Sequence, residues 1–199
     1  MLFNLCNVGR LTWATSICDI LCKYGFAYVW EMQGVEDEHK FLHEFKRCVH
    51  DCELQIWNES LCNTSKLRSL RLCNNEMTAE PYLYLYISHR IRSALAKFGI
   101  SNHDLEIEKG RHKNITTDER LCKLCITNNN YFKEDEFHVL LQCPFYQELR
   151  MIYLSIEHLP VNLFTYVNIM SSKDSNELTK LGLFIANMFK LRKHLLSSL

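Results

Sequence analysis

A chain of 199 residues has room for one domain or two small ones, and its 47% apolar and 12% aromatic content is enough to bury a core, which excludes a disordered tail. The formal net charge is +0 and the pI about 7.1, so overall charge points to no partner, and any nucleic-acid surface must come from local clusters. Only 3 Pro and 6 Gly disfavour a barrel or sandwich with many tight turns and suit helices with short connections.

In chain order, residues 11–24 read as a helix, with Ala14, Ile17, Cys18, Leu21 and Tyr24 at the three-and-four spacing of one buried stripe and Gly25 as its stop. Phe26 to Trp30 is aromatic and continues the packing. Glu31 to Glu38, acidic and holding Gly34, reads as a loop. The clearest helix is 38–58, with Phe41, Phe45, Cys48, Val49, Cys52 and Ile56 on one face. Residues 60–80 hold a short helix at Ser65–Cys73. A further helix is expected over 81–98, with Pro81 in its first turn, an apolar stripe of Tyr84, Ile87, Ile91, Leu95 and Phe98, and Gly99 at its end. Residues 100–121 are polar and read as irregular. Helices are expected again over 145–156, 160–171 and 175–197, the last opened by Asp174 with Glu177 in a capping box. The chain therefore reads as mostly α, a bundle-like domain with an embedded zinc knuckle. It divides into a helical region (1–108), a basic loop and knuckle region (109–156) and C-terminal helices (157–199).

The chemistry is concentrated in Cys122-Lys-Leu-Cys125, twelve intervening residues, His138 and Cys143. Two cysteines separated by two residues can face one metal from a tight turn, and a histidine and a third cysteine complete the four ligands of a tetrahedral zinc ion. Asp135 is placed to cap a helix beginning at Glu136, which puts His138 in the first turns. Pro144 disfavours helical geometry at Cys143, which is then free to turn back toward the metal. Glu134 or Asp135 is placed to orient the His138 ring. The alternative for the same four residues is three buried thiols and a packed histidine. The helical pairs Cys18/Cys22, Cys48/Cys52 and His39/His43 read as ordinary helix residues rather than a second metal site.

Lys109, Arg111, Lys113, Arg120 and Lys123 stand against Asp118 and Glu119, with His112 among them, in a polar segment leading into the cysteines. Phosphate contacts from such a segment are one reading and solvated surface charge the other. Arg90, Arg92 and Lys97 form a second cluster, and Lys190, Arg192 and Lys193 a third. No Gly-rich phosphate loop, HExxH, GxSxG or paired aspartates are present, so no catalytic residue is assigned and an enzyme is not expected. Ten cysteines fall below the roughly 8–10% of a disulfide scaffold, and the N-terminus lacks a signal-peptide pattern. The three Asn-X-Ser/Thr sequons at Asn58, Asn63 and Asn114 then read as chance matches, and an intracellular, reducing setting is expected. No apolar run reaches the roughly 18 residues of a membrane span, and Leu181 to Phe189 is the longest approach.

The stretch Gly110-Arg111, Glu119-Arg120-Leu-Cys122-Lys-Leu-Cys125, Glu134-Asp135-Glu136-Phe137-His138, Cys143-Pro144-Phe145-Tyr146 and Leu149-Arg150 resembles the region after the polymerase domain of LINE-type (non-LTR) retrotransposon reverse transcriptases. Residues 21–31 and 41–46 are similar to the helical segment that precedes the knuckle in such elements, and the likeness covers roughly residues 10–155. It implies a Zn²⁺ site at Cys122, Cys125, His138 and Cys143. It also implies binding of RNA or DNA, for which the basic clusters offer Lys109, Arg111, His112, Lys113, Arg120, Lys123, Arg90 and Arg92 as the contacting residues. A full-length reverse transcriptase becomes a candidate partner and the nucleus a candidate location. Neither polymerase nor endonuclease activity carries over. No membrane partner or small-molecule substrate is expected. The rivals are a zinc-stapled protein-interaction module displaying Tyr82, Tyr86 and Trp57, and a relic with no function of its own.

Overall fold

The structure, a computed structural model, describes residues 13–74, 76–155 and 159–199. Residues 11, 12 and 156, assigned to helices above, lie outside them. The regular elements among the described residues are helices, joined only by one isolated antiparallel bridge between Leu121 and Lys133, so the chain is mostly α as expected. No described helix is long and apolar enough to cross a membrane.

Two compact units divide at Glu59 and Ser60. The first contains α1 (Trp13–Lys23), α2 (Ala27–Met32) and most of α3, which runs Glu38–Asn63. Gly25 takes a left-handed φ of 82° and turns the chain between α1 and α2, as its position suggested. Phe26 is buried in the turn and meets Phe41 and Phe45 of α3 edge-on, at ring centroid distances of 5.6 and 5.3 Å.

The second unit contains α4 (Arg68–Cys73), α5 (His89–Gly99), α6 (Glu106–His112), α7 (Lys123–Ile126), α8 (Gln147–Tyr153), α9 (Leu163–Met170) and α10 (Ser175–Ser197). Its core joins Ile91, Leu95 and Phe98 of α5 to Leu178, Leu181, Phe184, Ile185 and Met188 of α10, and extends without a break to Cys122, Cys125 and Cys143. Residues from the end of the first sequence region (Tyr82 to Ile107), from the knuckle region and from the C-terminal helices thus share one core within this unit. Gly182 marks the closest approach of α10 to α5: a Cβ there would lie 2.4 Å from Ile91 Cγ2. Asp174 caps α10 by accepting the Glu177 N–H at 2.8 Å, as the sequence indicated, but the reciprocal half of the expected capping box is absent, because the Asp174 N–H donates to Ser172 Oγ, whose hydroxyl in turn donates to Glu177.

Two segments differ from the sequence expectation. Pro81 opens a short 3₁₀ turn (Pro81–Leu83) rather than a long helix, and α5 starts afresh at His89 because Ser88 Oγ accepts the Ile91 N–H. Arg92 then folds back, donating to the carbonyls of Tyr82, Leu85 and Ile87 along the interrupted stretch, Leu85 O also accepting the Ile87 N–H. Residues 100–121, expected to be irregular, contain α6. Its Ile107 and the preceding Leu105 are buried in the core, and that packing outweighs the low helix propensity of Gly110.

Candidate metal centre

Cys122 ends the bridged segment: its N–H donates to Phe132 O at 2.8 Å, while Glu134 N–H donates to Arg120 O at 2.9 Å. The chain leaves Cys122 into the single turn of α7 and puts Cys125 on the same side. The N–H groups of Asn128 and Asn130 both donate to Cys125 O at 3.0 Å, and Asn129 takes a left-handed φ of 57°. The asparagine run is therefore the turn that brings the chain back. Asp135 Oδ1 accepts the His138 N–H at 2.8 Å, so the expected cap is present. Residues 138–142 widen into a π turn in which Cys143 N–H donates to His138 O at 2.8 Å. That extra residue in the turn, with Pro144 following, leaves Cys143 extended (φ −59°, ψ 119°) and facing back toward His138.

All four predicted ligands converge. Their donor atoms lie within 4.8 Å of one another and all four residues are buried, so the cluster could hold a metal ion. Cys125 Sγ is 3.7 Å from Cys143 Sγ and 3.4 Å from His138 Nε2. The His138 ring stacks on Phe132 at 5.4 Å, which fixes its plane. Without a cation the site favours one thiolate. Cys122 is drawn down to about 4, first by the hydrogen bond from the Cys143 thiol and further by His138, against its burial. Cys125 is pushed up to about 12 by burial and then by the Cys122 charge. Cys143 is raised by its hydrogen bond to Cys122 and by burial. Ionising all three requires a positive charge among them, which is what a metal ion supplies.

The surroundings correct one expectation. Neither Glu134 nor Asp135 orients the imidazole: Asp135 is taken by the backbone, and His138 Nδ1 is buried with no partner among the described residues. Glu134, fully buried, instead places Oε1 3.7 Å from Cys122 Sγ and is clamped by Arg192 of α10, whose Nε and Nη2 lie 2.8 and 2.6 Å from its two carboxylate oxygens. Burial raises the Glu134 carboxyl and the Arg192 bonds oppose that rise. Arg192 continues the Leu181, Ile185, Met188 stripe at helical spacing, and a cation on an apolar stripe is itself a signal for a buried acid. Arg150, also missed from sequence, donates Nη2 to Cys143 O and Nη1 to Val139 O, holding both ends of the π turn.

The predicted nucleic-acid residues separate into three sets. Arg120 donates to the carbonyls of Ile115 and Ile107, its aliphatic stem lying over Gly110, where a Cβ would be 2.5 Å from Arg120 Cγ. Arg120 and Arg92 are thus committed to the backbone. Arg111 pairs with Glu108 at 2.9 Å and contacts His112, and Lys123 pairs with Glu106 at 3.2 Å. Arg90 and Lys113 are exposed, and Lys109 is half-buried and borders a groove beside α10.

No protein-family model matches this chain, and no curated protein and no solved structure gives a match. Its own geometry therefore carries the functional reading.

Proposed function

We propose that this chain is a zinc-stapled, non-catalytic module that binds RNA or DNA and corresponds to the C-terminal region of a LINE-type retrotransposon reverse transcriptase. The observation that carries the zinc assignment is the spacing of the donor atoms. Thiolate bonds of about 2.3 Å and a nitrogen bond of about 2.0–2.1 Å at tetrahedral angles put sulfurs about 3.8 Å apart and sulfur and nitrogen about 3.6 Å apart. The Cys125–Cys143 and Cys125–His138 separations here are 3.7 and 3.4 Å, and all four donor atoms lie within 4.8 Å of one another. Three thiolates and a histidine are the ligand set of structural zinc, and four protein ligands leave no coordination position for a reacting water. The ion would tie the hairpin at Cys122 and Cys125 to the π turn at His138 and Cys143, and through Glu134 and Arg192 to α10.

Support for a nucleic-acid partner comes from exposed cations beside this centre and from the resemblance in the knuckle motif. Binding dominated by phosphates weakens steeply with salt. The test is binding of the zinc-loaded protein to labelled RNA and DNA at two salt concentrations. Affinity that falls with salt and tolerates sequence change is expected; no binding at low salt would overturn the assignment. Exposed Tyr84 and Tyr86 favour a second reading as a protein-interaction module, whereas Tyr82, expected at that surface, is buried. Retention of a partner protein by a chain that binds no nucleic acid would select that reading.

A further inference from the structure

A groove of about 790 Å³ runs between α10 and the α5–α6 corner. Lys190 and Lys193 line it from α10, Lys97 from α5, Lys109 from α6, and Asn102 and Asp104 from the loop between those two helices. These lysines come from three clusters far apart in sequence, and none has an ion-pair partner among the described residues. Asp104 is the only acid on the lining. Elsewhere in this unit Arg68 is answered by Glu108 and Glu136, Arg111 by Glu108 and Lys123 by Glu106, while other cations unpaired among the described residues, such as Arg90 and Lys113, do not line this groove. Four unanswered ammonium groups around one concave surface make a local positive field in a chain of zero net charge.

We infer that this groove is a binding site for the phosphodiester backbone of a nucleic-acid strand, separate from the metal centre. The inference rests on the nucleic-acid reading above and adds the place where the strand lies. A single small anion is held by donors that converge on one point, commonly with a forked arginine among them. Here the cations are flexible point charges spread over three elements, an arrangement suited to a series of phosphates. The one arginine in the lining, Arg192, has its guanidinium turned to Glu134 and does not supply that fork. Phe189, half-buried against Phe98 and His103, also lines the groove and adds apolar surface beside the lysines.

The test uses the zinc-loaded full chain and a labelled single-stranded oligonucleotide of about 16 nucleotides, the upper end of common single-strand site sizes. Fluorescence anisotropy gives affinity across a salt series for three proteins: wild type, Lys190→Gln/Lys193→Gln, and Lys97→Gln/Lys109→Gln from the opposite wall. Glutamine keeps the helix propensity of lysine, and circular dichroism and zinc content check the fold. Loss of two phosphate contacts on a single strand reduces the salt slope by about 1.4, equivalent at about 0.1 M salt to roughly 25-fold weaker binding. Each folded variant is expected to show that loss. Wild-type binding with both variants unchanged would overturn the groove while leaving the nucleic-acid reading intact. Failure of the wild-type chain to bind would overturn both.

Discussion

Replacing Arg192 with methionine would leave the Glu134 carboxylate, fully buried, without its charge partner and two hydrogen bonds of 2.8 and 2.6 Å. Glu134 would keep the Glu106 N–H at 2.8 Å, but one neutral donor does not replace a guanidinium. Removing one partner of a buried ion pair costs about 3–5 kcal/mol. That is a large part of the roughly 5–15 kcal/mol that stabilises a typical domain. The reverse change, Glu134→Gln, should cost less, because Arg192 keeps Glu106 at 3.5 Å and the glutamine side-chain carbonyl can still accept from it. The double variant should recover much of the single loss, since two uncharged side chains of similar volume leave no bare charge behind. Urea unfolding with excess zinc, followed by circular dichroism, measures all three. An Arg192→Met protein within about 0.5 kcal/mol of wild type, the range of an ordinary surface substitution, would refute this reasoning. So would a double variant less stable than Arg192→Met alone.

Gly182→Ala tests the crossing of α5 and α10: the new methyl would sit 2.4 Å from Ile91 Cγ2 and 3.3 Å from Ile91 O, so a helix must shift. Overpacking of about 1–3 kcal/mol outweighs a helix-propensity gain of about 1 kcal/mol, and a lower Tm is expected; a raised Tm would show that the helices are not in contact there. Chelation of the metal should act on one unit. Amide exchange is expected to accelerate over residues 105–150 and stay unchanged over residues 13–32; uniform acceleration would contradict the division at Glu59.

The metal ligands were legible because everything that positions them is local. The two-residue gap, the Asp135 cap and the proline after Cys143 act within a few residues of the atoms they place. Gly25 and the Asp174 cap were legible for the same reason. The clamp on Glu134 was not, because its partner lies 58 residues away and the KEDE run gives no sign of which acid turns inward. Nor was the groove, since three modest charge clusters become one site only when α5, α6 and α10 pack together. Helix α6 escaped because its amphipathic period is carried by very few apolar residues, and its stability is tertiary. Arg92 and Arg120 looked like surface charge because sequence does not show which carbonyls will need donors.

The most direct measurement is zinc stoichiometry of the purified chain, wild type beside Cys125→Ser, with circular dichroism followed on both. One zinc per chain, lost together with the fold of the second unit in the variant, is the predicted result. A well-folded wild-type chain without zinc, whose Cys125→Ser variant folds equally well, would return Cys122, Cys125, His138 and Cys143 to the role of core residues and contradict the metal centre.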